Sequence, residues 1–187
     1  MQIIDGFLNE TDYGEIHRLL TSYDFHWNFA DFVIFDKQDL EIWQLEHVFY
    51  KDNMPSSLFF NLIKTHLINN IPDMATLIRV KANLNPNTGK QLMKDMFHTD
   101  FPIDDKDYIK TAIFYLESNN GYTLFENGEK VESVGNRLVI FNKNQRHTGV
   151  EATDVKKRIV VNINYVWKHL NGILVTMSLW MKIYLYS

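Results

Sequence analysis

From residue 75 onward, the hydrophobic residues of this 187-residue chain recur at every second position, in short segments separated by turn-forming residues. A period of two puts alternate side chains on opposite faces of an extended chain and is typical of β-strands. The predicted strands comprise residues 76–84, 108–117, 122–126, 137–141 and 158–166. Asn, Gly, Pro and Ser interrupt the pattern between them, which predicts turns. Several short strands joined by turns fold as a sandwich or a barrel.

Helical periodicity characterises the first third of the chain. Thr11 is predicted to cap a helix that runs through Ser22, and Pro55 to open a second helix with apolar residues at helical spacing over 58–67. The aromatic-rich residues 25–50 between them predict short strands and a loop. We therefore expect a mainly β (α+β) fold, a double-stranded β-helix (jelly roll, cupin-like) with N-terminal supporting helices.

No repeat, low-complexity segment or linker divides the chain, so a single domain over residues 1–187 is expected. Residues 1–75 would supply helical support and substrate loops, 76–167 the jelly-roll core, and 168–187 an apolar C-terminal element. Residues 173–186 are almost wholly apolar, but fourteen residues are too few for a transmembrane helix, which needs about 20. We expect this element to pack on the domain, or on a second copy and so form an oligomer; the alternative is a contact with a membrane surface or a partner.

Composition narrows the class of protein. The net charge of −4 gives no signature of nucleic-acid binding, which usually needs a basic patch. The chain has no cysteine, which excludes disulfides, thiolate metal sites and cysteine nucleophiles. Absence of cysteine fits a reducing compartment, and the first residues lack the basic start and apolar run of a signal peptide. We therefore expect a cytoplasmic protein without a transmembrane segment.

Two histidines and an aspartate form a candidate metal site. His98 and Asp100 are two residues apart, so in an extended segment both side chains reach the same side. His147 follows a predicted strand and lies in a loop or a short edge strand. Two imidazoles and one carboxylate form the facial triad of non-haem Fe(II), although zinc accepts the same ligand types. A His-X-Asp tripeptide alone is common on protein surfaces, whereas the ordered set followed by an arginine is much rarer.

Arg158 begins a predicted strand with clean alternation. It shares a face with Val160, Asn162 and Asn164, and the opposite face is apolar. Burying a guanidinium without an anion is costly, and its planar fork matches a carboxylate through two parallel hydrogen bonds. The sequence therefore predicts a site for an organic acid. The alternative is a surface salt bridge on a solvated face.

These residues resemble the Fe(II)/2-oxoglutarate-dependent dioxygenase superfamily, and its prolyl-4-hydroxylase-like branch in particular. The resemblance extends over residues 76–167, about half of the chain. Thr-Ala-Ile-Phe-Tyr-Leu at 111–116 is similar to the family's strand ending in Tyr-Leu. Gly-Tyr-Thr-Leu-Phe at 121–125 is similar to its Gly-Gly-X-Thr-X-Phe segment, with the glycine pair reduced to one. Residues 135–141 resemble the strand that leads to the second histidine.

The resemblance implies an enzyme that hydroxylates a substrate C–H bond and releases succinate and CO2. It implies Fe(II) as the metal, 2-oxoglutarate as cosubstrate, dioxygen as oxidant and ascorbate as an optional reductant. His98, Asp100 and His147 would be the catalytic metal ligands. The implied cosubstrate-binding residues are Arg158 at the distal carboxylate, Tyr115 near the same end, and Asn83 and Asn162 along the pocket.

The substrate is not specified by these residues. A peptidyl proline, another protein side chain or a small molecule each fits the resemblance. Aromatic residues of the first third could line a substrate cleft or belong to the core: Trp27, Phe29, Phe32, Phe35 and Trp43. Two other classes stay open, a non-enzymatic β-sandwich binding module and a jelly-roll metalloenzyme that does not use 2-oxoglutarate. Arg158 and Tyr115 argue against a metalloenzyme that does not use 2-oxoglutarate, because such an enzyme would have no need for residues that bind a carboxylate.

Overall fold

The computed structural model describes residues 1–30, 43–91, 97–101 and 108–168, in which eleven strands and two α-helices form. The helices are α1 (Glu10–Thr21) and α2 (Phe60–His66), and a 3₁₀ turn at Ile68–Asn70 follows α2. The strands are β1 (Gln2–Ile4), β2 (Asn28–Ala30), β3 (Gln44–Lys51), β4 (Met54–Pro55), β5 (Met74–Pro86), β6 (Ile109–Tyr115), β7 (Tyr122–Phe125), β8 (Lys130–Glu132), β9 (Arg137–Asn142), β10 (His147–Val150) and β11 (Lys157–Trp167).

The strands form two antiparallel sheets. The larger has the order β1-β9-β6-β11-β5-β3-β2, with β4 paired to the outside of β3, and the smaller has the order β10-β7-β8. β11 lies in the middle of the large sheet and pairs along its length with both β5 and β6. This arrangement confirms the expected mainly β fold with a jelly-roll core and N-terminal helices.

Strand β11 separates two layers of hydrophobic packing. Ile159, Val161 and Ile163 belong to the main core, which packs the large sheet against α1 and α2. Val160 points the other way, into a smaller core shared with Phe125 and other residues of the small sheet. The alternation read from the sequence is therefore confirmed. Because both faces are covered, this strand holds polar side chains in buried positions on the side that faces the small sheet.

Both helices begin elsewhere than predicted. Asn9, and not Thr11, caps α1, since its side-chain oxygen accepts a hydrogen bond from the Asp12 amide at 2.9 Å. The second helix begins at Phe60, because Pro55 is part of strand β4. Asp52 and Asn53 both adopt positive φ, as a two-residue hairpin turn requires, and they reverse the chain before the helix can start. Leu58, predicted on the helix's apolar face, is fully exposed.

Three short strands were not predicted as such or were left open. β1 and β8 have three residues each, too few for a period of two to be recognised. β10 begins at His147, so the short-edge-strand interpretation of this segment is confirmed. The apolar segment 173–186 and the oligomer contact proposed for it lie outside the described residues. Within the described part of the chain, no helix has the length and apolar character needed to cross a membrane.

Candidate metal centre

The three predicted metal ligands come together. One ligand atom from each of His98, Asp100 and His147 lies within 4.8 Å of the other two. The backbone secures this approach, because the amides of His98 and His147 each donate to the other's carbonyl at 3.0 and 2.9 Å. The isolated bridge thus attaches the His-X-Asp segment to the edge of the small sheet. The metal grouping inferred from residue type and spacing is present in the structure.

The hydrogen bond that His147 makes suits a metal ligand. Its Nδ1 lies 3.1 Å from the Gln145 carbonyl oxygen, which can only accept, so Nδ1 carries the proton. Nε2 then keeps its lone pair for an ion, and an outer hydrogen bond of this type is the usual way a ligating imidazole is oriented. His147 is 4% exposed, so the ring is also fixed by packing against Phe125 and Phe141.

Asp100 is bound by a network of side chains on the large sheet. Its Oδ2 accepts hydrogen bonds from Thr111 Oγ1 at 2.9 Å and from Asn164 Nδ2 at 2.8 Å. Its Oδ1 accepts one from Arg79 Nη2 at 3.0 Å, and Arg79 Nε donates to Asn164 Oδ1. A carboxylate oxygen has two lone pairs, so within the described residues Oδ1 keeps one free. This oxygen is the one available to a metal.

The charge state of Asp100 follows from the same contacts. Burial alone would raise the pKa of this carboxyl, but Arg79, His147, and the hydrogen bonds from Asn164 and Thr111 together hold the pKa below its usual range. The side chain is 7% exposed and remains ionised at neutral pH. Two imidazoles and an ionised carboxylate fit a divalent first-row metal such as Fe(II), and the same donors accept zinc.

Arg158 is buried, with 3% of its surface exposed. Its Nε donates to Ser133 Oγ at 2.9 Å, and its guanidinium carbon lies 5.6 Å from the centre of the Tyr115 ring. Burial lowers its pKa, an effect that Tyr115 and Glu151 oppose, and an arginine nevertheless stays charged in a protein. Among the described residues no carboxylate forms an ion pair with it. The alternative of a surface salt bridge is therefore wrong, and the guanidinium is available to an anion.

Two glycines leave room for this arginine. A Cβ added at Gly121 would lie 2.8 Å from Arg158 Cδ and 2.9 Å from the Val150 carbonyl oxygen. A Cβ at Gly149 would lie 3.7 Å from Nη1 of the same arginine. The distance at Gly149, on β10, is an ordinary contact, whereas a side chain at Gly121, just before β7, would displace the arginine. This relation explains the glycine at the head of the 121–125 segment.

The three candidate metal ligands and Arg158 share one cavity of about 750 Å³. Its floor is the inner face of β3, β5, β11 and β6, and the small sheet contributes Thr123, His147 and Gly149. The other described lining residues are Ala30, Gln44, Glu46, Val48, Lys51, Arg79, Lys81, Asn83, Asn85, His98, Thr99, Asp100, Ile113, Arg158, Val160 and Asn162. Register places the row with Arg79 and Asn164 at the metal end, and the row with Asn85 and Arg158 six residues away along β11.

The remaining predicted residues lie around this cavity in different ways. Asn83 and Asn162 line it, and the buried Oδ1 of each has no hydrogen-bond partner among the described residues. Tyr115 is fully buried beside Arg158, and its hydroxyl donates to Thr123 Oγ1 at 2.7 Å. Burial raises the pKa of Tyr115, so this proton is retained. Of the hydrogen-bonded pair Tyr115 and Thr123, Thr123 is the one that lines the cavity.

The aromatic residues of the first third are not found on the described cavity wall. Trp27 packs against the main core, and Phe29 is 62% exposed and contacts Trp43. Phe32 and Phe35 lie outside the described residues. Small and polar neighbours of these aromatics, Ala30 and Gln44, line the cavity instead.

Sequence reasoning missed the residues that hold the ligands in place. Arg79, Asn164 and Thr111 are brought together by strand register, in which Asn164 is paired with Arg79 on one side and with Thr111 on the other. Ser133 reaches Arg158 from the end of β8 across a sequence separation of 25 residues. No local pattern marks these positions, because each is defined by a neighbour on another strand. The one sequence signal that could have found any of them is the polar alternation of β11, which places Asn164 on the same face as Arg158.

Solved structures with the same fold share little sequence with this chain. A prolyl hydroxylase from Trichoplax adhaerens, in complex with a peptide fragment of the hypoxia-inducible factor oxygen degradation domain, has 15% identity and a TM-score of 0.59, covering 92% of this chain and 87% of that one. A prolyl-4-hydroxylase from Pseudomonas putida has 14% identity and a TM-score of 0.54, covering 90% and 92%.

A third similar structure has a different reaction. The non-heme α-ketoglutarate-dependent carbocyclase SnoK from nogalamycin biosynthesis has 12% identity and a TM-score of 0.62, covering 88% of this chain and 78% of that one. No protein-family model and no curated protein matches the sequence. At these identities the likeness shows the fold. This chain has the jelly-roll fold of prolyl hydroxylases and other 2-oxoglutarate-dependent oxygenases, and the resemblance read from the sequence is confirmed at that level.

Proposed function

We propose that this protein is an Fe(II)- and 2-oxoglutarate-dependent dioxygenase that hydroxylates a substrate C–H bond and releases succinate and CO2. One observation carries the proposal: a single cavity holds a His-Asp-His group at one end and a buried arginine without an ion-pair partner, among the described residues, at the other. A metal alone would account for the first group and a simple anion for the second. A dicarboxylate that also binds a metal accounts for both.

Each residue then has a role. His98, Asp100 and His147 would hold iron, and Arg158 would bind the distal carboxylate of 2-oxoglutarate. Tyr115 would act at that end through Thr123. Asn83 and Asn162, with amides that have no partner among the described residues, would line the cosubstrate pocket.

When bound, Fe(II) with 2-oxoglutarate and dioxygen supplies the oxidising chemistry, and ascorbate would serve as an external reductant. The chain itself binds and orients. Arg79, Asn164 and Thr111 keep Asp100 ionised and fixed in direction, which preserves an open set of ligand positions on the cavity side. Val160 and Ile113 make part of the floor apolar, which limits water near the bound acid.

Binding of metal and cosubstrate tests the proposal directly. Anaerobic addition of Fe(II) and then 2-oxoglutarate should give a weak visible charge-transfer band. His98→Ala should lose both the bound metal and the band. His17→Ala is the matched control, because His17 lies on α1 with its Nε2 bonded to Glu117 and is outside the cavity. If no band forms and His98→Ala leaves the metal content unchanged, the proposal is wrong.

The arginine end is tested separately. Arg158→Gln should retain the metal but weaken 2-oxoglutarate binding by about tenfold or more, since hydrogen bonds to a charged group contribute about 1.5–3 kcal/mol each. Isothermal titration with Mn(II) in place of Fe(II) measures both affinities without turnover. Metal binding without any 2-oxoglutarate binding would instead indicate a metalloenzyme of another class, and absence of both would indicate a binding module.

A protein substrate is one candidate class, since two of the similar structures are prolyl hydroxylases and one of these contains a peptide. Succinate release in the presence of peptides, free amino acids and other small metabolites distinguishes the candidates. The reaction class stands independently of this choice, because the metal and cosubstrate residues do not depend on the substrate.

A further inference from the structure

The cavity floor carries an ion pair that binding of iron and 2-oxoglutarate does not use. Lys81 Nζ on β5 donates to Glu46 Oε2 on β3 at 2.9 Å. The two side chains are 19% and 29% exposed, respectively, and both line the cavity. A fixed pair of opposite charges in a partly buried site is a strong local dipole.

The pair lies between the metal end and the arginine end of the cavity, because Glu46 is opposite Asn83, two residues from the Asn85 that pairs with Arg158. Lys81 is two residues from Arg79 on the same face of β5, about 7 Å along the strand. Arg79 in turn contacts the metal ligand Asp100. Arg158 lies toward the other end, opposite Asn85. A molecule held by Glu46 and Lys81 would therefore lie on the β3–β5 side of the floor, with its Lys81 end toward the metal ligands and its Glu46 end toward Arg158.

The pair also has hydrogen-bonding capacity left. Among the described residues, Glu46 Oε1 accepts no hydrogen bond and Lys81 uses one of its three ammonium hydrogens. Register places Asn83 opposite Glu46, and Asn162 opposite Lys81. Neither asparagine makes a side-chain hydrogen bond within the described residues, and the Oδ1 of each is buried. Since these two asparagines are assigned to the cosubstrate, the pair borders the cosubstrate pocket, and the remaining capacity of Glu46 and Lys81 is suited to a second polar ligand.

The lining favours a small zwitterion over a flat aromatic molecule. No Phe, Tyr or Trp occurs among the described lining residues, in which the only rings are the imidazoles of the candidate metal ligands His98 and His147. A free α-amino acid carries its ammonium and carboxylate on one carbon, close enough to face both members of the pair at once. Its ammonium would donate to Glu46 and its carboxylate would accept from Lys81, so that charges alternate around the group.

We infer that the Glu46–Lys81 pair binds the ammonium and carboxylate groups of a free α-amino acid substrate, an inference that rests on the proposed oxygenase function. A peptide lacks both charges at an internal residue and would leave each member of the pair facing an uncharged group. The pair is thus expected to discriminate against internal peptide residues as well as against aromatic metabolites.

Calorimetric titration tests the inference without turnover. The protein is loaded anaerobically with Mn(II) and 2-oxoglutarate and titrated with each of the twenty free amino acids, and with the N-acetyl amide of the same residue as a neutral probe. At least one free amino acid should bind, and its blocked form should bind about tenfold more weakly or worse. Binding of no amino acid, or equal binding of the blocked form, overturns the inference.

Variants separate recognition from a structural role of the pair. Glu46→Gln should weaken amino-acid binding by about tenfold. The double exchange Glu46→Lys with Lys81→Glu keeps an ion pair but reverses its direction. This variant should weaken amino-acid binding by the same factor, because the amino acid would have to bind with its ammonium and carboxylate exchanged, which would turn its side chain away from its original position. Glu132→Gln, which breaks the exposed Lys130–Glu132 pair on β8, is the matched control and should bind normally.

The two proposals fail in different ways. If both pair variants bind the amino acid like the unmodified chain, the Glu46–Lys81 pair does not recognise it and the inference is wrong. If metal and 2-oxoglutarate bind and no amino acid does, the inference fails while the oxygenase function stands. If metal and 2-oxoglutarate do not bind, the oxygenase function itself has failed.

Discussion

At the scale of single residues, the position of the Arg158 side chain depends on the absence of a side chain at Gly121. The arginine passes Gly121 so closely that a Cβ added there would lie 2.8 Å from Arg158 Cδ, and the same Cβ would lie 2.9 Å from the Val150 carbonyl oxygen. Ser133 fixes Nε, which leaves the terminal nitrogens facing the cavity. The position of the Arg158 side chain thus depends on the missing side chain of Gly121 and on the hydrogen bond to Ser133.

Gly121→Ala should weaken 2-oxoglutarate binding by about tenfold or more, because a displaced guanidinium loses its alignment with the carboxylate. The Mn(II) affinity should stay the same, since the three metal ligands do not contact Gly121. Calorimetry with metal and then cosubstrate measures both. Unchanged 2-oxoglutarate affinity would contradict the role assigned to this glycine.

Gly14→Ala is the matched control. Gly14 lies within α1, has helical φ and has no atom within 4 Å of an added Cβ. Alanine there should leave both affinities unchanged. It should raise the free energy of unfolding by about 0.5–1 kcal/mol, because glycine is a poor residue in a helix interior.

At the scale of elements, α1 is attached to the domain through its first turn. Asn9 caps the helix by accepting from the Asp12 amide, and the Asp12 carboxylate accepts from His66 Nδ1 of α2 at 2.6 Å. On its buried side the helix packs Ile16, Leu19 and Leu20 into the main core. The cap therefore also positions the aspartate that connects the two helices supporting the large sheet.

Asn9→Ala should lower the free energy of unfolding by about 1 kcal/mol, the usual cost of removing an N-cap side chain. Thr11, the residue that sequence reasoning chose as the cap, is exposed within the first turn. Thr11→Ala should change stability by less than about 0.5 kcal/mol. Urea denaturation of the two variants compares these positions directly, and equal effects would contradict the assignment of the cap.

The element boundaries show what a single sequence could predict. The long strands β5, β6, β9 and β11 were predicted because enough residues alternate for a period to be recognised. The start of α2 was not, because Asp52 and Asn53 form a hairpin turn that draws Pro55 into a strand. That strand has two residues and exists only because β3 is beside it. Local propensity cannot report a partner that is defined by tertiary structure.

At the scale of the whole molecule, the large sheet packs against a different hydrophobic core on each of its two faces. Its outer face packs on the helices, and its inner face meets the small sheet and forms the cavity floor. His47 lies beside the main core, and both of its ring nitrogens make hydrogen bonds. Nδ1 bonds to the His26 carbonyl at 2.7 Å, and Nε2 bonds to Ser57 Oγ at 2.8 Å. Burial lowers the pKa of His47, and the contact with the His26 carbonyl only partly opposes this.

This histidine should make stability depend on pH. In the unfolded chain the His47 imidazole titrates at about pH 6.5, whereas in the folded chain it becomes protonated only at a lower pH. The free energy of unfolding should therefore fall as pH decreases from about 6.5 and level off below the folded-state pKa of His47. Urea denaturation from about pH 7.5 down to about pH 5 measures the slope in a range above that in which carboxyl groups titrate.

His47→Gln should make that slope shallower even though the variant is less stable overall. Thr11→Ala, at an exposed position on α1, is the control and should leave the slope unchanged, because it removes no titratable group. A slope that is the same in the chain with and without His47 would show that other groups cause the pH dependence.

The sequence by itself determined the fold class and identified the candidate site residues. Alternation is a local property of the chain, and His98, Asp100, His147 and Arg158 are recognisable because metals and carboxylates demand those side chains. Tertiary structure alone decided how they are held. Arg79 reaches Asp100, Ser133 reaches Arg158, and Glu46 reaches Lys81 only because strands distant in sequence are neighbours in the folded sheets. Hydrogen bonds between strands depend on register, and register is a property of the packed molecule rather than of any segment.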